Sequence, residues 1–315
     1  MNLLTAAAAS AGAPAILVPV VLLAALLHAS WNAILKFVPD KLTGSLLMTV
    51  SGGVIAAAGT FFTAVPDRSS WPLLVVSAVL HVGYFLMLAK TFEIGDFNQV
   101  YPLARGLSPV VVAGFATLLG DPMSRHQTAG IAVVCGGLAI LVFSAGRPER
   151  AQGKAMFWAV MTGLSIAVYT VTDGIAVRHS GTATGYTAWM MLLESALMTT
   201  TVVVIIARRR QPEGAEGGGT EGDGIEGGAL RAALSRLSRA DVLRGVVAGT
   251  LSLLAYGLVL WAQTRGALAA VSALRETSVI FGAALGSLFL REPFGRCRIF
   301  AAVTIAGGIL ILEAA

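Results

Sequence analysis

Apolar residues run in long blocks along this 315-residue chain, broken by short polar stretches. Within a block they neither alternate nor keep to one face, so the blocks are neither barrel strands nor the half-wet helices of a soluble domain. A bilayer core about 30 Å thick needs roughly 20 such residues in a helix. Blocks of that kind at 15–36, 44–65, 71–90, 98–119, 127–144, 155–177, 185–207, 242–263, 267–290 and 299–314 predict ten transmembrane helices and an all-α membrane protein.

Composition agrees, with 56% hydrophobic and 12% charged residues against roughly 25% charged in soluble domains. Residues 1–12 carry no Lys or Arg, so the first block is expected to stay as a helix rather than act as a cleaved signal. Cys135 and Cys297 lack the neighbours of a metal or redox site. The net charge of +5 does not point to nucleic acid, because the basic residues fall mostly in loops, where they set orientation.

Odd-numbered loops hold sixteen Lys and Arg and even-numbered loops four. The basic loops belong in the cytoplasm, which places both termini outside the inner membrane. The seventh loop, at about 208–241, has a Gly/Glu tract (EGAEGGGTEGDGIEGG) expected to be disordered. After it, Leu230, Leu234 and Leu237 lie between arginines, as in a short interfacial helix.

The two halves of the chain, 1–147 and 148–315, resemble each other. TGSLLM from Thr43 aligns with TGYTAW from Thr184, and GYFLMLAKT, ending at Thr91, aligns with YGLVLWAQT, ending at Thr264. A shift of 171 residues carries Asp121 onto Glu292 and Arg105 onto Glu276. Five spans is an odd number, so the second half must enter the bilayer the other way up. Two inverted five-helix repeats are an architecture of secondary transporters, whose sites lie near the midplane between them. Each half closes with an acidic-Pro loop (GDP, REP) and a Gly-rich last helix (CGGLAIL, AGGILIL). In this the chain resembles the EamA-type branch of the drug/metabolite transporter superfamily. The resemblance implies a carrier without ATP hydrolysis, alternating access, and a central cavity lined mainly by helices one, three, four, six, eight and nine. Members are usually drawn with cytoplasmic termini, opposite to the charge count here.

A charge in the hydrocarbon centre costs about 2.5–3.5 kcal/mol on insertion scales and calls for a partner or a wet cavity. Arg105 in span four, and Arg275 and Glu276 in span nine, are the deep candidates. Arg105 and Glu276 would meet near the middle, either as a latch between the halves or with arginine free to grip an acidic group. Two arginines against one glutamate favour an anionic or zwitterionic substrate. Pro102 and Pro109 bracket Arg105 and would kink its helix. In HASWNAILK, His28 and Asn32 share a helical face, with Trp31 read as an interfacial anchor and Lys36 as a topology charge.

Asp173 is either water-exposed or a cavity-mouth group for a proton or an amine. Glu194, in a span expected to be peripheral, is read as locally hydrogen-bonded. Tyr84, Tyr101, Tyr169, Tyr256 and Trp261 are cavity candidates or packing. The substrate-binding candidates are thus Arg105, Arg275, Glu276, His28, Asn32, Tyr101, Tyr84 and Tyr256; the proton-coupling candidates are Glu276, Asp173 and His28. The Gly pairs of the last helix in each half would join the halves or make a dimer, leaving monomer and homodimer open.

These readings predict a multi-pass carrier of a small polar metabolite, with the bilayer as its surroundings and protons as possible coupling ions. Neither a metal nor a cofactor is expected. The rival is an exporter of hydrophobic cations; a membrane assembly protein is a reading of another class. No HExxH, nucleophile elbow or phosphate loop points to an enzyme.

Overall fold

A computed structural model of the chain describes residues 16–38, 41–95, 97–118, 120, 123–144, 152–209, 237–290 and 295–313. Among them there is no strand. The helices are α1 (Leu17–Lys36), α2 (Lys41–Thr60), α3 (Trp71–Ile94), α4 (Phe97–Leu118), α5 (Arg125–Ser144), α6 (Gly153–His179), α7 (Ala183–Arg209), α8 (Arg239–Gln263), α9 (Leu268–Arg275), α10 (Ser278–Leu290) and α11 (Arg296–Glu313). The Gly/Glu tract and most of the interfacial helix expected after it fall at 210–236, outside the described residues, as do Asp121 and Glu292.

Among the described residues, seven helices are long and apolar enough to cross a membrane: α1, α2, α3, α5, α6, α7 and α8. The other three predicted spans correspond to α4, to α9 with α10, and to α11. Helix α4 has the length, 22 residues, but carries Asn98, Gln99 and Arg105. The apolar part of α11, Ile299–Leu312, is shorter.

The ninth predicted span is two helices, not one. The chain leaves α9 at Glu276, where amides bond three residues back (Glu276 to Ala273, Thr277 to Leu274, both 3.1 Å), and re-enters α-helix at Ser278. Thr277 Oγ1 also donates to the Leu274 carbonyl at 2.8 Å. Tight i→i+3 turns and hydroxyl back-bonding of this kind interrupt a helix without Gly or Pro; the break falls on the polar run of Arg275, Glu276, Thr277 and Ser278 inside an otherwise apolar span.

Helix α1 packs on α8, α9 and α10; α6 packs on α3 and α4; α2 lies on α7 and α8; and α5 lies on α11. At one end of the bundle Arg178, at the end of α6, donates to the carbonyls of Gln263 and Gly266, both at 2.8 Å, and so closes the C-terminus of α8. The Asp67 amide joins the same group of loops through the Ser180 carbonyl at 3.0 Å. At the other end Ser238 caps α8 in a reciprocal capping box with Asp241, and Arg244 reaches the Phe37 carbonyl at 3.4 Å.

The Gly-rich helices α5 and α11 pack on each other within one chain. A Cβ on Gly308 would sit 2.8 Å from the Val134 nitrogen and 2.9 Å from the Gly130 oxygen, and one on Gly137 would sit 3.0 Å from the Ala301 oxygen. Small residues serve here to bring two backbones together where lipid offers no hydrophobic drive. Of the two roles open to the Gly pairs, joining the halves is the one this packing fills.

Candidate functional site

A narrow hollow lies at mid-depth between α1, α3, α6, α7, α8 and α9, with room for a few water molecules. Five aromatic side chains wall it: Trp31 on α1, Tyr84 and Phe85 on α3, Tyr169 on α6 and Tyr256 on α8. The polar groups that reach it are His28, His81, Glu194, Ser252 and Arg275. Helix α7 takes the place in the lining that the family resemblance gave to helix four.

Helix α4 stands behind that lining and supplies Arg105, which is 2% exposed. The Arg105 guanidinium donates to His28 Nε2 and lies 3.6 Å from Glu276 Oε1. Arg275 Nε approaches the same Glu276 oxygen at 3.7 Å, and its Nη2 donates to Thr170 Oγ1 at 3.4 Å. The ion pairs are long beside the 2.7–2.9 Å of a good charge-assisted bond, so Glu276 is neutralised but loosely held. Because a guanidinium only donates, His28 Nε2 must accept, and the ring is neutral in this conformer. The repeat register places Arg105 opposite Glu276, and in the structure they meet.

Asp173 is fully buried, not exposed to water. Its two oxygens accept from the hydroxyls of Tyr186, at 2.7 Å, and Tyr256. The carboxylate thereby ties α6 to α7 and α8. Tyr256→Phe leaves one buried oxygen without its donor and is expected to destabilise the protein by about 1–3 kcal/mol. Thermal unfolding in detergent checks this; an unchanged midpoint for both Tyr256→Phe and Tyr186→Phe would remove Asp173 as a tie.

Other candidates divide. Tyr84 and Tyr169 meet edge to face, centroids 5.5 Å apart, on the cavity wall. Tyr101 lies beneath the Arg105 guanidinium, 5.7 Å from its ring centre, away from the hollow. Trp261 stacks under Arg265 at 4.3 Å, also away from it. Asn32 is turned back on its own helix, donating to the His28 carbonyl at 2.8 Å, and does not line the hollow. Trp31 is a buried wall of the cavity rather than an interfacial anchor: its ring packs edge-on to His28, centroids 4.8 Å apart.

Two residues carry more than their sequence context announced. Glu194 is buried on the cavity wall, not at the periphery, and its Oε2 has no hydrogen-bond partner among the described residues. His81, not among the candidates named from the sequence, donates from Nδ1 to the Ser77 carbonyl at 2.9 Å. Its ring lies 4.0 Å from that of Tyr169 and 5.3 Å from that of Tyr256. The available signal was spacing: Ser77, His81 and Tyr84 share one face of α3 at four and three residues. Among the described residues no cluster of three or more His, Cys, Asp or Glu is arranged to hold a metal ion.

An all-helical, multi-pass membrane protein with charged and aromatic groups gathered about an internal hollow has the make-up of a membrane transporter. The comparison with protein families makes this specific: the EamA-like transporter family matches residues 153–313, more than half of the chain. The chain belongs to that family and is a transporter of the drug/metabolite type. A search of curated proteins gives no match. A solved crystal structure, described only as that of a protein, superposes on 95% of this chain and 97% of its own with a TM-score of 0.67 at 16% identity, which establishes a common fold alone.

Proposed function

We propose that the protein is a secondary carrier of a small polar metabolite, anionic or zwitterionic, working by alternating access between two inverted five-helix repeats of ten spans in all. The observation that carries the reading is the loose cluster Arg105–Glu276–Arg275 beside a hollow that Arg275 itself lines. An arginine fork there suits a carboxylate or phosphate. The packing supports the repeats. Counting α9 with α10 as span nine, an exchange of halves turns α1 on α8 into α6 on α3, and α1 on span nine into α6 on α4. It maps α2 on α7 and α5 on α11 onto themselves. Helix-sized spans and an odd number per half then make the exchange an inversion.

Purified protein in proteoliposomes is expected to accumulate small organic anions or zwitterions, and Arg275→Ala to abolish it. Movement of cationic dyes alone, unaffected by Arg275→Ala, would replace this reading with that of a cation exporter, which the aromatic walls favour. Protons are the proposed coupling ion, taken up by Glu276, Asp173 or His28, and transport that is flat from about pH 5 to 8 would remove that part. His28 can accept a proton at Nε2 only after releasing Arg105.

Both termini are placed outside the inner membrane. Cys297 is exposed near the start of α11, on the side assigned to the cytoplasm. In a Cys135→Ser background a membrane-impermeant maleimide is expected to label it only after the cells are opened; labelling of intact cells would reverse the orientation.

A further inference from the structure

Glu194 sits on α7 at the wall of the hollow, 4% exposed, with Oε2 unpartnered among the described residues. The other two buried acids have charged or hydroxyl neighbours: Asp173 accepts from two tyrosine hydroxyls, and Glu276, though neither of its oxygens accepts a hydrogen bond among the described residues, lies between two arginines. A carboxylate buried without a partner is costly. His81 on α3 and Asp173 on α6 are the titratable groups acting on it, and neither hydrogen-bonds to it. Arg275 is the one arginine in the same lining, and its Nε also lacks a hydrogen-bond partner among the described residues. Arg105 is withdrawn behind, committed to His28 and Glu276.

The hollow therefore presents one unsatisfied acid and one under-used arginine on different helices, with the aromatic rings of Trp31, Tyr169 and Tyr256 in the same lining. Such faces favour an ammonium over a neutral group. With Asp173 and Glu194 counted beside Glu276, the buried acids outnumber the two buried arginines, so an anion with no compensating cationic group fits less well than a molecule carrying both charges. We infer that Glu194 is a binding subsite for a primary ammonium group, and that the substrate is a small zwitterion whose acidic group faces Arg275 and whose ammonium faces Glu194. This rests on the reading above that the hollow is the substrate site, and adds to it the residue that selects the cationic end.

The test uses chain length as a ruler. Binding of unbranched ω-amino acids from glycine to 5-aminopentanoate to the purified full-length protein is measured by titration calorimetry beside acetate to pentanoate and ethylamine to pentylamine. One ω-amino acid is expected to bind at least tenfold more tightly than the plain acid or amine of similar length. Glu194→Gln should erase that advantage while the plain acids bind no more weakly, Glu194→Asp should retain it in part, and Arg275→Ala should weaken acids and amino acids alike. Plain acids binding as well as amino acids, in wild type and Glu194→Gln alike, overturns the ammonium subsite and leaves the anion carrier standing. Amines binding best, or no acid-bearing compound binding, overturns both. Size-exclusion profiles and melting points of the two Glu194 variants must match wild type, and if Glu194→Gln does not fold, the loss or retention of the advantage in Glu194→Asp decides.

Discussion

Glu276→Ala is expected to unfold more readily than wild type by about 3–5 kcal/mol and to lose transport altogether. Removing this carboxylate leaves Arg105 and Arg275 close together at mid-depth, each deprived of its counter-charge, and breaking a buried pair from one side has penalties of that order. Arg105→Ala should be costly for the reciprocal reason, since Glu276 would keep only Arg275, and His28 would lose its donor. The double variant Arg105→Ala/Glu276→Ala removes one charge of each sign, so its loss of stability should fall short of the sum of the single losses by one to a few kcal/mol in a double-mutant cycle. Additive losses would mean that the two residues act independently and that the meeting of α4 with the break between α9 and α10 is incidental. The pair's geometry also separates latch from gate. Contacts of 3.6 and 3.7 Å can be exchanged for shorter bonds to a ligand, whereas a tight bidentate pair would resist exchange.

The second large effect is expected at the α5–α11 seam. Gly308→Leu and Gly137→Leu place a side chain against fixed backbone, the Val134 nitrogen and Gly130 oxygen in one case and the Ala301 oxygen in the other. Overpacking of this kind costs about 1–3 kcal/mol where neighbours can shift, and backbone in a helix pair has little freedom to do so. Both variants should lose folded protein in detergent. Gly136 and Gly307, their neighbours in the same Gly pairs, have nothing within 4 Å of where a Cβ would stand, so Gly136→Leu and Gly307→Leu should match wild type. A change of oligomeric state in the Gly136 or Gly307 variants, with the seam variants unaffected, would move the role of these helices from the inside of the chain to a dimer face.

Much of the architecture was readable in one dimension. Blocks of apolar residues have the length that a bilayer imposes, and their polar breaks mark where helices leave it; α1, α3, α6, α7 and α8 follow the predicted spans with small shifts of their ends. The 171-residue register read from the sequence sets Arg105 against Glu276, and in the structure the two meet. The site was less legible. Asn32 and His28 share a helical face, yet Asn32 satisfies itself on the His28 carbonyl while His28 reaches Arg105. Asp173 lies near the end of α6, where water is the ordinary expectation, but two tyrosines close over it.

The sequence by itself determined that the chain is a bundle of membrane-length helices and that Arg105, Arg275 and Glu276 lie deep in it. Only the tertiary structure decided which side of each helix looks inward. In water an apolar stripe marks the buried face, but in a bilayer the lipid-facing side is as apolar as the packed one, so the period of the pattern points nowhere. For that reason the sequence assigns Glu194 to a peripheral span with a local hydrogen bond and does not single out His81, whereas α3, α6, α7 and α8 bring both to the hollow. Likewise, one glycine of each pair proved to be a backbone contact and the other open space, a difference made by the neighbouring helix and not by the residues beside it.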